Sequence, residues 1–140
     1  MAIILAIDDA ATDLTLIQYM LSNHTVLLAR NGEEGLHTLD THPEVDLILL
    51  DLHMPVMDGF TFLDHIQARN LEIPIIILTN TEEVEMEIRG LEKGAVDFIR
   101  KPLNFKALQI RIDVQLRLRQ STELIKEHNR RLEELVEKRT

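Results

Sequence analysis

Polar side chains follow four of the apolar runs in this chain, at the point where each run ends. Asp8 and Asp9 follow the first run, Asp51 follows the third, Thr79 follows the fourth, and Lys101 comes shortly after the fifth. If the runs are strands of one parallel sheet, their carboxyl ends meet at one edge. We therefore expect three carboxylates, a hydroxyl and an ammonium to converge there.

Three carboxylates held close together repel one another, and at least one pKa would rise unless a cation is bound. A hard divalent ion with oxygen ligands resolves the repulsion, and Mg²⁺, with Mn²⁺ as an alternative, suits a few carboxylates and a shared phosphate. Lys101 offers a point charge for that phosphate and Thr79 a hydrogen bond. Because no serine with a base partner is evident, a carboxylate is the candidate nucleophile.

Each of these residues also has an ordinary structural explanation when taken alone. Asp8 and Asp9 are suited to capping a helix, and Asp51 to capping the end of a strand. Thr79 is typical of a turn, and Lys101 of a solvated surface. Only the joint arrangement favours a site that accepts a phosphoryl group.

The apolar runs alternate with helical patterns, which predicts a doubly wound α/β fold with a parallel sheet. The third and fourth runs are almost continuously apolar, as expected of strands buried on both faces. In the fourth helix, Ile88 and Leu91 have the three-residue spacing of an apolar helix face, whereas the acidic run at 82–88 is expected to be solvated or to meet basic partners. The five predicted strands are residues 2–7, 25–29, 45–50, 73–78 and 95–99.

Charge and composition limit the functions of this chain of 140 residues, whose net charge is −9. The acidic residues concentrate in 1–104, which argues against nucleic acid or anionic membranes as partners. The chain has no cysteine, so disulfides and thiol chemistry are excluded. The apolar start is too short for a signal peptide or a membrane span, and we expect a cytoplasmic protein.

The region after Pro102 has two competing patterns. Apolar residues occupy every even position from Leu108 to Leu118, which alone would indicate a strand. The absence of Gly and Pro and the richness in helix formers favour one long helix instead. On a helix, one stripe would pack on the body and a second would continue at heptad spacing as a coiled coil or as a single exposed helix. The first stripe is Leu108, Ile112 and Leu116, and the second is Ile110, Val114, Leu118, Ser121, Ile125, His128, Leu132 and Leu135.

Four segments, ILAIDD, LILLDLHMPVMDGF, IIILTN and VDFIRKPL, resemble the receiver domain of two-component response regulators. The resemblance covers roughly residues 2–112 in order and spacing. It implies a flavodoxin-like (βα)₅ fold with strand order 2-1-3-4-5. It also implies that a histidine kinase or a phosphotransfer protein passes a phosphoryl group from phosphohistidine to Asp51.

The resemblance assigns further roles at the same site. Asp9, Asp51 and the backbone carbonyl of His53 would ligate Mg²⁺, and Asp8 would assist through water. Lys101 would pair with the phosphoryl group, and a cis peptide bond would join it to Pro102. Thr79 would move to bond the phosphoryl group, and Phe98 would turn inward behind it as an aromatic switch.

The chain departs from the family pattern beside this site. Asn80 stands where the family usually has Ala or Gly, and a larger polar side chain there affects access to the phosphoryl pocket. His53 and Thr81 lie two residues beyond Asp51 and Thr79, where the family varies. We expect these three residues to tune the lifetime of the phosphoryl group.

Three functional hypotheses follow. The first is a signalling receiver at 1–112 that accepts and loses its own phosphoryl group without turning over a separate substrate. The second is a phosphatase with an aspartyl nucleophile, although such enzymes usually carry a second acid two residues later, where this chain has His53. The third is a binding module that is not phosphorylated. For the first, residues 113–140 would form a coiled-coil linker and a parallel homodimer, leading to an output domain.

Overall fold

The structure is a computed structural model that describes residues 1–80 and 84–139, with side chains through residue 133. Strands and helices alternate along the whole body, as the sequence pattern predicts. The last helix continues through the tail without a break. The elements are β1 (Ile3–Ile7), α1 (Ala11–Met20), β2 (Thr25–Ala29), α2 (Gly32–Thr41), β3 (Leu47–Asp51), α3 (Gly59–Ala68), β4 (Ile75–Thr79), α4 (Val84–Glu92), β5 (Asp97–Arg100) and α5 (Phe105–Arg139).

The five strands form one parallel sheet in the order β2-β1-β3-β4-β5. This confirms the doubly wound, flavodoxin-like fold and its strand order. The central strands β3 and β4 are buried along their whole length because helices cover both faces of the sheet. In the register, Ile7 lies opposite Leu50, and Asp51 opposite Leu78, so the ends of β1, β3 and β4 are level at one edge.

Two apolar clusters, one on each face of the sheet, hold the helices in place. The first joins α1 and α5, through residues such as Ile17 and Ile112, to the sheet. The second joins α2 and α3, through residues such as Leu36 and Phe62, to the other face. Burial of aliphatic side chains on both faces therefore fixes the edge where the polar residues meet.

Local capping positions α3 directly after the polar edge. The Asp58 side chain accepts a hydrogen bond from the backbone N–H of Thr61, which starts α3 at Gly59. Gly59 N–H in turn donates to the carbonyl of Leu52 at 3.1 Å. A Cβ added at Gly59 would lie 2.7 Å from the backbone oxygen of Asp51, so only glycine permits this close approach.

The prediction for α4 is wrong in one respect. Ile88 and Leu91 are 52% and 38% exposed, whereas Glu87, from the acidic run expected to be solvated, is only 2% exposed. Gly90 lies on the same buried face, three residues along the helix. A Cβ at Gly90 would lie 2.0 Å from Cδ1 of Ile77, so the missing side chain lets α4 pack closely on β4.

The tail is a helix, and its apolar residues divide between two faces as predicted. Leu108 and Ile112 are fully buried in the core beneath α5. Ile110, Val114 and Leu118 are 55%, 38% and 55% exposed. The exposed stripe continues with Ile125 and Leu132, whereas the side chain of Leu135 lies outside the described residues.

Polar contacts join α5 to the body beyond its buried first turns. Arg119 donates to the backbone oxygen of Asp46 at 2.9 Å, and Lys126 pairs with Glu72. The neighbouring apolar side chains of Leu118 and Ile125 remain exposed. Within the described part of the chain, no helix combines the length and the apolar character that crossing a membrane requires.

We predict that Gly59→Ala lowers the free energy of unfolding by about 1–3 kcal/mol, because the new methyl group meets backbone atoms that cannot move aside. Urea unfolding followed by circular dichroism measures the change. A more stable variant would contradict the prediction, since alanine at an unhindered helical position is favoured over glycine by about 1 kcal/mol.

Candidate functional site

Three carboxylates meet at the carboxyl edge of the sheet. Asp8 follows β1 and Asp51 ends β3, and these strands are neighbours, so their side chains lie side by side. Asp8 is fully buried and Asp51 is 7% exposed, whereas Asp9 is exposed. One carboxylate oxygen from each of the three residues lies within 4.8 Å of the others. The structure therefore brings together the acidic residues that the sequence predicts.

The ammonium group of Lys101 reaches into this cluster. Its Nζ lies 2.9 Å from Oδ2 of Asp8 and 3.8 Å from Oδ2 of Asp51. Lys101 follows β5 directly, and its backbone N–H donates to the carbonyl of Thr79 at 2.6 Å. The peptide bond between Lys101 and Pro102 is cis, as predicted.

Burial and like charge make the ionisation of the cluster unfavourable. Burial, and then the charge of Asp8, raise the pKa of Asp51 to about 7, although the ammonium of Lys101 and a hydrogen bond from the His53 N–H oppose the shift. Burial alone would favour the neutral amine of Lys101. Its hydrogen bonds to Asp13 and Asp8 and the charge of Asp51 outweigh burial and raise the pKa of Lys101.

Asp13 is a site residue that the sequence analysis missed. Its Oδ2 accepts a hydrogen bond from Lys101 Nζ at 2.9 Å, so the ammonium is shared between α1 and the end of β1. The search along strand ends could not find it because Asp13 lies within α1. The signal was its position in the first turn of α1, which follows directly after the polar end of β1.

Thr79 is buried at the end of β4, beside Asp51 at the end of β3. Its hydroxyl donates to Oε2 of Glu87 at 2.8 Å. Arg100 donates to both carboxylate oxygens of Glu87, at 3.0 Å and 2.9 Å. These hydrogen bonds from Arg100 are the largest cause of the lowered pKa of Glu87.

Phe98 is half-buried on β5 and packs against the small cluster that includes Phe60 and Ile77. The guanidinium of Arg100 lies 5.5 Å from the centre of the Phe98 ring, within the range of a cation–π contact. Phe98 therefore touches the group that pairs with Glu87. Its predicted role as a switch remains a prediction.

Two of the three residues predicted to tune the phosphoryl lifetime, His53 and Asn80, follow the ends of β3 and β4. The backbone N–H of His53 donates to Oδ1 of Asp51 at 3.3 Å, while the His53 side chain is exposed. Asn80 follows Thr79 and its side chain is also exposed. Thr81 lies outside the described residues. The metal contact expected from the backbone carbonyl of His53 remains a prediction.

The donor set fits a magnesium ion. Mg²⁺ prefers oxygen ligands and is commonly bound by one or two carboxylates together with water and phosphate. The cluster offers carboxylate oxygens from Asp8, Asp9 and Asp51 within 4.8 Å of one another. Burial and the charge of Asp8 raise the pKa of Asp51, so a bound cation would favour its ionised form. Asp9, exposed at its rim, leaves the cluster accessible from solvent.

Comparisons with known proteins agree on one family. A family model described as the response regulator receiver domain matches residues 4–113. The "Alkaline phosphatase synthesis transcriptional regulatory protein PhoP" of Bacillus subtilis is 36% identical over 116 residues, which are 81% of this chain and 48% of that protein. The "Probable cyclic di-GMP phosphodiesterase" of Vibrio cholerae is 32% identical over 140 residues, 98% of this chain and 32% of that protein. The chain thus spans less than half the length of both relatives.

Solved structures show the same fold. The crystal structure of a response regulator receiver domain protein from Clostridium thermocellum superposes with a TM-score of 0.81 at 29% identity. The match covers 87% of this chain and 99% of that one. The fold is therefore that of a receiver domain.

We predict that Mg²⁺ stabilises the chain because it relieves repulsion among the clustered carboxylates. An ion at ten times its dissociation constant stabilises the folded state by about 1.4 kcal/mol, which raises the midpoint of thermal unfolding by several degrees. Differential scanning calorimetry with and without MgCl₂ measures the shift.

Asp9→Asn removes one of the clustered carboxylates and should reduce the Mg²⁺-dependent shift. Asp113→Asn, on the exposed surface of α5, removes the same charge elsewhere and should leave the shift intact. An equal loss in both variants would mean that Mg²⁺ acts only through general screening.

Proposed function

Because the chain belongs to the family of response regulator receiver domains, we propose that it accepts a phosphoryl group on Asp51 and thereby switches an output module. The donor is the phosphohistidine of a histidine kinase or of a phosphotransfer protein, in the cytoplasm. The observation that carries this proposal is the placement of the Asp51 carboxylate within 3.8 Å of the Lys101 ammonium, beside two further carboxylates.

The chemistry is a displacement at phosphorus. A carboxylate oxygen of Asp51 forms the new bond to phosphorus, the bond from phosphorus to the histidine nitrogen breaks, and the imidazole keeps the electron pair. Lys101 balances charge on a phosphoryl oxygen, and its present pairing with Asp8 and Asp13 holds it beside the reacting carboxylate. Water later attacks the same phosphorus, which returns the free carboxylate and inorganic phosphate.

Asp8, Asp9, Asp51 and the backbone carbonyl of His53 would hold Mg²⁺ or Mn²⁺. The bound ion supplies positive charge against which the carboxylates and the phosphoryl oxygens can approach one another. The hydroxyl of Thr79 donates a hydrogen bond to a phosphoryl oxygen, and Phe98 follows Thr79 inward. His53, Asn80 and Thr81 set the lifetime of the phosphoryl group by controlling the approach of water.

Residues 113–140 are proposed to link the receiver to its output. The similarity to the Vibrio cholerae protein continues through this region, and that protein is about three times as long as this chain. Exposed apolar side chains at Leu118, Ile125 and Leu132 lie at heptad spacing along α5. We assign this stripe to a parallel homodimer, because parallel pairing places both receivers at one end and both outputs at the other.

Asp51→Asn should abolish phosphate incorporation from acetyl phosphate in the presence of Mg²⁺, because the amide is not a nucleophile for phosphorus. Intact-mass spectrometry measures the incorporation. Asp64→Asn removes an exposed carboxylate elsewhere and should be labelled like the wild type. Equal labelling of the Asp51 variant would refute the assignment.

Ile125→Lys should convert the dimer to a monomer, because it places a charge in the apolar seam. Gln120→Lys adds the same charge on the opposite side of the helix and should leave the dimer intact. Sedimentation velocity at micromolar concentrations distinguishes the two. A wild-type chain that sediments as a monomer would overturn the dimer and leave α5 a single-helix linker.

A further inference from the structure

The hydroxyl of Thr79 already has a partner in this structure. It donates to Oε2 of Glu87 at 2.8 Å, and the two residues are each only 2% exposed. A threonine hydroxyl has a single proton to donate. A hydrogen bond from Thr79 to a phosphoryl oxygen must therefore replace the hydrogen bond to Glu87.

Glu87 is a buried carboxylate that belongs to α4 and depends on two other elements. Thr79 at the end of β4 donates one hydrogen bond to it, and Arg100 at the end of β5 donates two. A buried charge is tolerated only when it is paired and hydrogen-bonded. The Arg100 side chain is 47% exposed, so this ion pair extends from the buried hydroxyl to the protein surface.

We propose that Glu87 is a positioning residue for Thr79. In the unphosphorylated chain Glu87 accepts the hydrogen bond of the Thr79 hydroxyl, and it competes for that hydrogen bond with the phosphoryl group. On phosphorylation, Thr79 leaves Glu87, and Glu87 remains bound to Arg100 alone. This inference rests on the proposed function, since the competitor is a phosphoryl group on Asp51.

The contacts of Glu87 and Arg100 link the hydrogen bonding of Thr79 to the protein surface. Glu87 lies in the middle of α4, and Arg100 lies 5.5 Å from the centre of the Phe98 ring. When Glu87 loses the hydrogen bond from Thr79, it binds the guanidinium of Arg100 more tightly. The guanidinium then shifts its position over the Phe98 ring. The hydrogen bonding of Thr79 is thus coupled to α4 through Glu87, and to Phe98 through Arg100.

A matched variant isolates the hydrogen bond. Glu87→Gln keeps the size of the side chain and one acceptor oxygen but removes the charge that makes the carboxylate the stronger acceptor. We expect beryllofluoride, a phosphoryl mimic, to bind the variant about fivefold more tightly in the presence of Mg²⁺. Isothermal titration calorimetry on the full chain measures the affinity.

A double-mutant cycle with Thr79→Ala separates positioning from a structural role. In the Thr79→Ala variant no hydroxyl is present to hydrogen-bond Glu87. Glu87→Gln should therefore leave the affinity of that variant for beryllofluoride unchanged. Asp40→Asn is the control, because it removes another carboxylate–arginine pair, with Arg69 at 2.8 Å, away from the site, and should have no effect.

The outcomes are distinguishable. An unchanged affinity in Glu87→Gln, or an equal gain with and without the Thr79 hydroxyl, overturns the role of Glu87 while the proposed function stands. A wild-type chain that binds no beryllofluoride overturns the proposed function and this inference with it. If Glu87→Gln fails to fold, Glu87→Asp, which keeps the charge but withdraws the carboxylate from Thr79, must show the same tightening.

Discussion

The ammonium group of Lys101 compensates the negative charge of the carboxylates that meet at the carboxyl edge of the sheet. Asp8 is fully buried, Asp51 is nearly so, and neither carboxylate would be tolerated there without a cation nearby. Lys101 pairs with Asp8 and Asp13 at 2.9 Å and approaches Asp51 at 3.8 Å, so one side chain from the end of β5 joins β1, α1 and β3. Even so, burial and the charge of Asp8 together outweigh the ammonium and raise the pKa of Asp51 to about 7.

A second charged cluster, formed by Arg100 and Glu87, lies beside the first, and its cation is the residue next to Lys101 in the chain. Arg100 and Lys101 are consecutive, and successive side chains at the end of a strand point to opposite sides of the sheet. Lys101 reaches the carboxylates of β1 and β3, whereas Arg100 reaches Glu87 on α4. Thr79 lies between the two clusters, with its hydroxyl committed to Glu87. The short segment at the end of β5 therefore connects the surroundings of Asp51 with the packing of α4.

The helix α4 shows why an apolar pattern is an incomplete guide to burial. Ile88 and Leu91 have the spacing of a core pair but are substantially exposed, while Glu87 and Gly90 form the buried face. Gly90 lets the helix approach β4 closely enough for Glu87 to accept a hydrogen bond from Thr79. A carboxylate is normally assigned to solvent, and its burial here depends on partners eight and thirteen residues away in the chain.

The residue pattern by itself determined the strands, the helical tail with its two apolar faces, and the meeting of Asp8, Asp9, Asp51, Thr79 and Lys101 at one edge, whereas the strand order followed from the resemblance to receiver domains. It could do so because strand and helix periodicity are local, and because parallel strands place their carboxyl ends together. Only the tertiary structure decided the partners of the charged groups. Lys101 and Asp13 are 88 residues apart, and their contact depends on how α1 packs against the sheet. The bond between Thr79 and Glu87 likewise depends on the depth at which α4 packs, and no local pattern encodes either distance.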